Sequence, residues 1–421
     1  MGKRITFLHA ADLHLGAPMR GLRALSEKWA SRVAEAIPEA FDRLVEAAIE
    51  REVDFVILAG DIFDQAQPSY ANYLRFAAGL ARLDAAGIPS YLCTGNHDPY
   101  VSWRTDLVDL PPSTHMFPAE KPGFAVFEKV GEPLALLGGR GFYHKVFEAG
   151  ANIAEGISRR AAQEACGVNA PFAVGVIHTG LNLDVNKAPV NPRDLLRSEM
   201  DYWALGHIHQ PWVDDQDDPH IVFSGCIQGR DVNEAGARGC YLVTLEEGKS
   251  NHIEFLSLAS IVWQTLNVDV SACQTVDEIA TEASKELFRA NAQAQCDSMV
   301  VRLRLVGQTP LHGILQEPGI LSDMRDQINA AHSTFFCDSL RDATKAPWDK
   351  DALLVEGLFP AVLLETAERI KANEGETLRY IQDEFLQRDL KLPHGLHEQC
   401  ESMQDKASEI ALDILRCEVG Q

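Results

Sequence analysis

Residues 53–61 of this chain read Val-Asp-Phe-Val-Ile-Leu-Ala-Gly-Asp, which is a short apolar run followed by a glycine and a carboxylate. Runs of this length that are rich in β-branched and aromatic side chains are typical of buried strands. The stretch therefore predicts a strand in the interior of a sheet. It also places the Asp61 carboxylate directly after the end of that strand.

Four other apolar runs end in the same way, next to side chains that bind metal ions well. They are residues 5–8 before Asp12-Leu13-His14, 88–93 before Gly95-Asn96-His97-Asp98, 172–177 before His178, and 202–205 before Gly206-His207-Ile208-His209. In open α/β sheets the carboxyl ends of the strands open onto one crevice, so ligands that are far apart in sequence can converge there. The five motifs together predict a site for two metal ions.

The residue types of these motifs suit two cations that share one ligand. A carboxylate can bridge two metals that lie about 3.5–4 Å apart, and Asp61 is the residue that we expect to do so. The other ligands fall into two sets, one for each ion: Asp12, His14 and His209, and Asn96, His178 and His207. The mixture of oxygen and nitrogen ligands favours manganese, iron or zinc over calcium or magnesium.

Two such cations would provide a nucleophile for hydrolysis, because coordination lowers the pKa of water toward neutrality. His97 is not needed as a ligand, so we assign it to protonating the leaving group or to stabilising the charged transition state. Asp98 is expected to orient the His97 ring. His97 and Asp98 are therefore the predicted catalytic residues.

Length and composition limit the possible classes of protein. With 421 residues the chain exceeds what one core usually supports, so we expect a main domain with one or two smaller units. The formal charge of −23 argues against broad, nonspecific adhesion to nucleic acid or to an anionic membrane. It does not exclude a phosphate substrate, because two divalent cations would invert the sign of the charge locally.

The cysteine content and the hydropathy of the chain indicate in which cellular compartment the protein is found. Nine cysteines are scattered along the sequence without a Cys-x-x-Cys pair, which favours reduced thiols over a disulfide framework or a zinc held by cysteines. No apolar stretch approaches the roughly 18 residues that a spanning helix requires, and the first residues carry no signal-peptide cleavage pattern. We therefore expect a cytoplasmic protein that makes no membrane contact.

Helix and strand signals alternate over the first 260 residues. The periodicity predicts helices over residues 27–51, 69–86 and 153–166. Pro38 is expected to kink or divide the first of these helices. Short apolar runs at residues 220–223, 240–245 and 252–258 look like closing strands, the pattern of a second sheet packed on the first.

The pattern of strand and helix signals changes after residue 260. Strand patterns at 262–270 and 298–306 flank a helix pattern at 276–290, which predicts a small separate α/β unit. From residue 353 onward the signals are mainly helical, and they include segments at 360–373, 376–387 and 397–417.

The ordered motifs resemble those of the calcineurin-like metallophosphoesterase superfamily. The residues that carry the resemblance are Asp12-Leu13-His14, Gly60-Asp61-Ile62-Phe63-Asp64, Gly95-Asn96-His97-Asp98, His178 and Gly206-His207-Ile208-His209. Within that superfamily, residues 10–16 and 59–64 are similar to the SbcD-type DNA repair nucleases, and residues 201–210 and 228–240 resemble the YhaO-like branch. The resemblance covers residues 4–260 strongly and the remainder only in layout.

The resemblance implies an α/β fold with three parts. A two-sheet αββα metallophosphoesterase sandwich would occupy residues 1–260, and a small α/β capping domain would occupy residues 261–345. Residues 346–421 would form a helical region that docks on a partner.

The resemblance also implies a manganese-dependent DNA nuclease. In the wider family this is a DNA repair exonuclease with 3′-to-5′ polarity and some endonuclease activity, and it works beside a coiled-coil ATPase of the SbcC-like or YhaN-like kind. A homodimer is a further expectation. Archaeal and eukaryotic relatives usually carry histidine at the position of Asp64, which is associated with exonuclease action, so we do not transfer the polarity to this chain.

Several alternatives remain open at this stage. Arg230 and Gln228 either contact a phosphate or a substrate strand, or they are structural, with Arg230 paired to Glu234. Tyr100 and Trp103 either stack on a base or pack against other aromatic rings. The same metals would also serve a phosphoesterase that acts on a small phosphodiester or a phosphoprotein. A binding module that keeps the fold as a scaffold is disfavoured by the complete ligand set.

Overall fold

The computed structural model describes residues 2–19, 22, 27–104, 106–148, 150–184, 187–294, 296–347, 354–355, 359–371, 374–388, 407 and 410–411. The chain divides into two compact units. The first unit comprises Met1–Thr265, Arg289–Val301 and Ser333–Asp338, and the second comprises Leu266–Phe288, Arg302–His332 and Ser339–Gln421.

Strands and helices alternate along the described part of the chain. The strands are β1 (Arg4–Ala10), β2 (Phe55–Ala59), β3 (Ser90–Cys93), β4 (Thr114–Met116), β5 (Gly123–Lys129), β6 (Glu132–Arg140), β7 (Phe172–His178), β8 (Tyr202–Gly206), β9 (Trp212–Val213), β10 (Ile221–Phe223), β11 (Gly239–Glu246), β12 (His252–Ser257), β13 (Ile261–Asp269), β14 (Ser298–Gln308) and β15 (Phe335–Lys345). The helices are α1 (Glu27–Glu50), α2 (Tyr70–Ala85), α3 (Arg159–Cys166), α4 (Pro192–Arg197), α5 (Val276–Ala294), α6 (His312–Leu315), α7 (Ile320–Ala331), α8 (Phe359–Lys371) and α9 (Glu374–Gln387).

Two six-stranded sheets make up most of the first unit. One has the strand order β12-β11-β1-β2-β3-β4, and its strands β1 to β4 are parallel. The other has the order β5-β6-β7-β8-β10-β9, and its strands β6, β7, β8 and β10 are parallel. Because neighbouring parallel strands end at the same edge of a sheet, β1, β2 and β3 deliver their following loops to one edge. Strands β7 and β8 do the same in the other sheet.

The two sheets pack face to face and carry helices on their outer faces. Phe7 of β1 stacks on Phe55 of β2, with ring centroids 4.7 Å apart, and meets the edge of Tyr202 from the other sheet at 5.5 Å. Leu8, the next residue, faces the opposite way and lies in the core that α1 and α2 cover, since successive strand residues point to opposite faces. Trp203 is buried on the outer face of the second sheet, in one cluster with α3 and α4. The predicted αββα sandwich is thereby confirmed.

Helix α1 runs through Pro38 without a break, so the proline does not divide it. Ile37, Phe41 and Leu44 on one face of this helix are buried in the core above the first sheet. Tertiary packing of such an apolar face usually contributes more to helix stability than intrinsic propensity does. The packing on both sides of Pro38 therefore maintains the helix across it.

Helix α3 is shorter than the sequence periodicity predicts. It begins at Arg159, and residues 153–158 form turns in place of the expected first helical turns. Gly156 has a φ of +82°, which interrupts a right-handed helix, and the Ser158 hydroxyl caps the helix by accepting a hydrogen bond from Ala161 N. Ile153 and Ile157 are nevertheless buried, because they pack in the core that also contains Trp203.

Two of the three predicted closing strands join the first sheet and not the second. Strand β10 pairs with β8, as expected for the second sheet. Strand β11, however, pairs antiparallel with β1 and is followed by β12 at the edge of the first sheet. The apolar pattern predicts that a strand is half-buried, but it does not indicate which neighbour the strand finds.

Strands β13, β14 and β15 form a three-stranded sheet in that order. The second unit contains α6, α7, α8 and α9. Helices α8 and α9 contact each other and match the predicted helices at residues 360–373 and 376–387. The predicted helix at residues 397–417 lies outside the described residues, apart from residues 407, 410 and 411.

The domain boundaries at residues 260 and 345 stay a prediction. Among the helices that the structure describes, none is both long enough and apolar enough to cross a membrane.

The contact between the sheets gives a stability prediction. Phe7 is fully buried between them, so Phe7→Ala should lower the free energy of unfolding by about 3–5 kcal/mol. Phe359→Ala is the matched control, because that ring is 64% exposed. Urea-induced unfolding followed by circular dichroism measures both changes. Equal midpoints for the two variants would contradict the packing described above.

Candidate metal centre

The predicted ligands lie at the carboxyl ends of strands β1, β2, β3, β7 and β8 or in the loops that follow them. Asp12 and His14 follow β1, and their backbone N–H groups donate to Gly60 O at 3.1 Å and Asp61 O at 3.0 Å. His178 is the last residue of β7, and Thr179 N donates to Gly206 O at 3.0 Å, which ties that loop to β8. The strand ends of both sheets therefore contribute to one site.

The backbone is strained at four of the predicted ligands. Asp12, His14, Asp61 and His207 have φ angles of 51°, 48°, 50° and 105°, in the left-handed region that side chains other than glycine rarely adopt. Such strain costs free energy and persists only where the surroundings fix the conformation, and it clusters at functional sites. The strained conformations turn side chains that follow neighbouring strands toward a common centre.

One set of ligand atoms surrounds a point beside β1. His14 Nε2 lies 3.1 Å from His209 Nε2, and His209 Nε2 lies 3.8 Å from Asp12 Oδ1. The ligand atoms of these three residues all lie within 4.8 Å of one another. This is the set that the sequence assigns to the first ion.

A second set lies beside β7 and β8. His178 Nε2 is 3.3 Å from Asn96 Oδ1, and ligand atoms of Asp61, His178 and His207 lie within 4.8 Å of one another. Asp61 Oδ2 is 3.4 Å from His178 Nε2 and 3.8 Å from His14 Nε2. One carboxylate oxygen therefore faces both sets, which is the geometry that a bridging ligand needs. The structure thus brings all seven predicted ligands together.

Three of the four histidines use one ring nitrogen for a hydrogen bond to an acceptor outside the cluster, and the fourth, His14, has a carboxylate beside its Nδ1 atom. The acceptors are Ala59 O for His178 Nδ1 at 2.9 Å, Asp184 Oδ2 for His207 Nε2 at 3.2 Å, and Glu234 Oε1 for His209 Nδ1 at 2.6 Å, while Asp64 Oδ1 lies 3.2 Å from His14 Nδ1 as an ion-pair contact. Histidines that ligate metals almost always donate their other N–H in this way, which fixes the tautomer. The remaining nitrogen of each ring is left to bind a metal.

These tautomers provide a test of whether the residues fit a cation. When Nδ1 carries the proton in both neutral rings, as the carboxylates beside these atoms favour, the Nε2 lone pairs of His14 and His209 face each other at 3.1 Å. Two facing lone pairs repel, and a cation that both nitrogens coordinate converts that repulsion into attraction. The donor set therefore fits a divalent metal, while its identity stays open among manganese, iron and zinc.

Protonation equilibria in the site are dominated by burial and by Asp61. Burial disfavours a charged His178, but the Asp61 and Asp12 carboxylates outweigh it and raise the pKa of His178 to about 9. Burial alone would raise the pKa of Asp61, yet His178 and His14 hold it well below its usual range. A proton on His178 thus balances the Asp61 charge, and a cation that binds here displaces that proton.

His97 lies beside the first set of ligands. Its backbone N–H donates to Asp61 Oδ1 at 2.8 Å, and its ring lies 5.0 Å from the His14 ring. The ring Nδ1 is 2.8 Å from the backbone carbonyl oxygen of Asp64, so Nδ1 donates and Nε2 is left for a substrate atom. This placement suits the predicted role in proton transfer, which stays a prediction.

The expected role of Asp98 needs correction. The Asp98 carboxylate accepts hydrogen bonds from the backbone N–H groups of Gly95 at 2.8 Å, Ile62 at 2.9 Å and Phe63 at 3.3 Å. It therefore ties the loop after β3 to the loop after β2, and the Asp64 carbonyl, not Asp98, orients the His97 ring. Burial and the charge of Asp61 raise the pKa of Asp98 to about 8.

The structure also bears on the structural and the substrate-binding alternatives for Gln228 and Arg230. Gln228 is buried and bonds to backbone groups, including Ile261 O at 2.7 Å and Ser260 N at 3.1 Å, so it is structural. Arg230 pairs with Glu234 at 2.8 Å and also with Asp64 at 3.0 Å. The structural pairing is therefore present, and it includes a second carboxylate that the sequence did not indicate.

The two aromatic residues after the third motif differ in their surroundings. Trp103 packs against the rings of Phe63, Tyr73 and Phe76, and its indole N–H donates to Asp98 O at 2.8 Å. Tyr100 is 46% exposed. Aromatic packing therefore accounts for Trp103, whereas Tyr100 is accessible to a ligand.

Three acidic residues of the site escape the sequence analysis in whole or in part. Asp184 and Glu234 support His207 and His209, but neither lies in a strand-end motif. Asp64 belongs to the second motif, yet nothing in the sequence couples it to His14. A fourth group, Cys226, lies within ligand distance of His209 and Glu234, but burial raises the pKa of its thiol far above the usual range, which disfavours the thiolate.

The comparisons with known proteins agree with the fold and with the site. Residues 5–211 match the calcineurin-like phosphoesterase family, and residues 263–345 match the middle domain of metallophosphoesterase YhaO. The chain belongs to the calcineurin-like metallophosphoesterases. It is 31% identical to the uncharacterized metallophosphoesterase YhaO of Bacillus subtilis over 311 residues, which cover 73% of this chain and 72% of that protein.

More distant relatives are named as DNA double-strand break repair protein Mre11. The chain is 24% identical to the Thermoplasma acidophilum protein over 326 residues, covering 74% of this chain and 79% of that one. It is 31% identical to the Methanosarcina acetivorans protein over 144 residues, covering 34% of this chain and 20% of that one. The predicted family is thereby confirmed.

The close packing around Asp61 gives a prediction for metal binding. A Cβ atom on Gly95 would overlap Asp61 Oδ1 and the Asp61 backbone nitrogen. Gly95→Ala should therefore displace Asp61 and weaken metal binding by about 10- to 100-fold, the range typical when the support of a ligand is lost. Gly313→Ala is the control, because a Cβ atom there meets nothing within 4 Å. Isothermal titration with Mn²⁺ measures both affinities, and an unchanged affinity for Gly95→Ala would contradict the bridging geometry.

Proposed function

We propose that this protein is a two-metal phosphodiester hydrolase that acts on DNA, with manganese as the preferred metal. The observation that carries the proposal is the position of Asp61, whose carboxylate oxygen lies between two complete sets of metal-ligating side chains. Two cations, when bound, provide an activated water and neutralise charge on the phosphate. Membership of the calcineurin-like metallophosphoesterases supports hydrolysis of a phosphate ester.

The chain's own residues would orient the substrate and move the proton. His97 presents Nε2 to the site, while the Asp64 carbonyl holds its Nδ1 and Asp61 holds its backbone N–H. A protonated His97 can then donate to the leaving oxygen or stabilise negative charge on the phosphate. The Asp98 carboxylate accepts hydrogen bonds from both the loop that carries His97 and the loop that carries Asp61, and so fixes their relative position. We therefore propose His97 as the catalytic residue and Asp98 as a positioning residue.

The surface beside His97 supports DNA as the substrate. Tyr100 and Tyr143 form a nearly parallel pair, with ring centroids 6.2 Å apart and an interplanar angle of 21°. Since consecutive Cα atoms are about 3.8 Å apart, the Cα atom of Tyr100 lies within roughly 11 Å of the Cα atom of His97. An exposed aromatic ring at this distance can stack on an unpaired base of a strand whose phosphate occupies the site. The relatives named for DNA double-strand break repair favour the same substrate.

A small phosphodiester or a phosphoprotein is the second candidate substrate. The formal charge of −23 favours it, because an acidic protein repels a long polyanion outside its metal site. If DNA is the substrate, its contacts with this acidic protein depend on the cations and on stacking. Cleavage of end-labelled duplex DNA, a cyclic nucleotide and a phosphopeptide by the same Mn²⁺-loaded chain discriminates between the candidates.

We further propose that a coiled-coil ATPase of the SbcC-like or YhaN-like kind docks on the helical region at residues 346–421. Exposed apolar side chains on α8 and α9 support an interface there; they are Phe359, Val362, Ile370, Tyr380 and Leu386. A homodimer and a cytoplasmic location belong to the same proposal. Digestion assays with and without the ATPase test the partnership.

The proposed roles of Asp61 and His97 can be separated. Asp61→Asn should abolish hydrolysis with the fold intact, because a neutral amide oxygen bridges two cations far less well than the charged Asp61 Oδ2 atom that faces both sets. His97→Ala should keep both metals and lose turnover, since its ring is not a ligand in this proposal. Digestion of end-labelled DNA together with metal analysis measures both. If His97→Ala empties the site, the role assignment is wrong.

The stacking contact gives a test that is specific for DNA. Tyr100→Ala should raise KM for a DNA end by about 5- to 150-fold, because stacking on one base contributes about 1–3 kcal/mol. Hydrolysis of bis(p-nitrophenyl) phosphate, which has no base, should be unchanged. Tyr380→Ala is the matched control, since that ring is 68% exposed in the second unit. An equal loss with both substrates would contradict stacking by Tyr100.

A further inference from the structure

Arg230 binds acidic side chains from two distant parts of the first unit. Its Nη1 donates to Asp64 Oδ1 at 3.0 Å, although the two residues are 166 positions apart. Its Nη2 donates to Glu234 Oε1 at 2.8 Å, and its backbone N–H donates to Glu234 Oε2 at 2.7 Å. Only 12% of the Arg230 side chain is exposed. A planar guanidinium suits this task, because its fixed fork can hold two carboxylates in one arrangement.

Each of these carboxylates also holds one predicted ligand of the same ion. Asp64 Oδ1 lies 3.2 Å from His14 Nδ1, and Glu234 Oε1 lies 2.6 Å from His209 Nδ1. The five side chains therefore form a continuous chain of contacts from His14 through Asp64, Arg230 and Glu234 to His209. We call this chain the arginine bridge.

The other metal position takes its support from different groups. His178 donates to the backbone oxygen of Ala59, and His207 is paired with Asp184 at 3.2 Å. Ala59 is the last residue of β2, and Asp184 lies in the loop after β7. The two positions share Asp61 as a ligand, but different groups support their histidines.

We propose that Arg230 is a positioning residue that sets metal affinity selectively at the position formed by Asp12, His14 and His209. An imidazole can rotate about its bond to Cβ unless its second nitrogen is held, so Asp64 and Glu234 fix the two rings. Without Arg230 these carboxylates lose their shared cation. They then hold His14 and His209 less firmly. The inference rests on the two-cation site of the proposed function and is independent of its DNA substrate.

The test is a two-site Mn²⁺ titration of the full chain by isothermal titration calorimetry. Arg230→Gln should weaken one of the two Mn²⁺ affinities by about 10- to 100-fold and leave the other unchanged. Arg159→Gln is the matched control, because Arg159 is also partly buried and also pairs with an aspartate, Asp201, but lies outside the site. Equal weakening of both Mn²⁺ affinities by Arg230→Gln would indicate a general structural role and overturn the proposal.

A double-mutant cycle assigns the effect to one position. In a His207→Ala background, Arg230→Gln should still weaken the remaining ion by about 10- to 100-fold. In a His209→Ala background, which lacks a ligand of the position that Arg230 supports, Arg230→Gln should leave the affinity of the ion at the other position unchanged. A weaker affinity for the ion held by Asp61, Asn96, His178 and His207 in that background overturns the proposal.

Glu234→Gln provides a second variant if Arg230→Gln does not fold. It keeps the size of the side chain and removes the charge that binds both Arg230 and His209, so it should reproduce the selective loss. Loss of both Mn²⁺ affinities in a folded Glu234→Gln chain would contradict the inference. A wild-type chain that binds two Mn²⁺ ions but cuts no DNA would overturn the proposed function alone. A wild-type chain that binds fewer than two would overturn this inference as well.

Discussion

The buried carboxylate of Asp61 is the group on which the rest of the site depends. It is 1% exposed, it lies between His14 and His178, and it accepts the backbone N–H of His97. A buried carboxylate requires compensating charge, and here that charge comes from imidazoles or from cations. Its strained backbone and the absence of a side chain at Gly95 are the local conditions that let it reach this position.

The two-sheet sandwich explains why the cluster is both crowded and rigid. Parallel strands deliver their loops to one edge of each sheet, and the buried contacts between the sheets hold the two edges together. Backbone hydrogen bonds between neighbouring loops and the Asp98 carboxylate then remove most of the remaining freedom. A preorganised arrangement of this kind lowers the cost of assembling charged groups around a phosphate.

The two metal positions differ in how they are supported. One has two ligand histidines held by carboxylates that share Arg230, while the other relies on a backbone carbonyl and on Asp184. Asp64 also connects the first position to His97, because its side chain holds His14 and its carbonyl holds the His97 ring. The residue at position 64 thus supports both metal binding and proton transfer in the proposed mechanism.

The sequence by itself determined the five strands that precede the ligands, the class of fold and the seven side chains that converge, because a strand and the polar group at its end are adjacent in the chain. Only the tertiary structure placed β11 and β12 beside β1, assigned Asp98 to backbone amides, and joined Asp64, Asp184 and Glu234 to the ligand histidines. Those contacts include His207 with Asp184, which are 23 positions apart, His209 with Glu234, 25 positions apart, and Ile62 with Asp98, 36 positions apart. Local patterns cannot encode such contacts, since strand topology and loop conformation decide which distant groups meet.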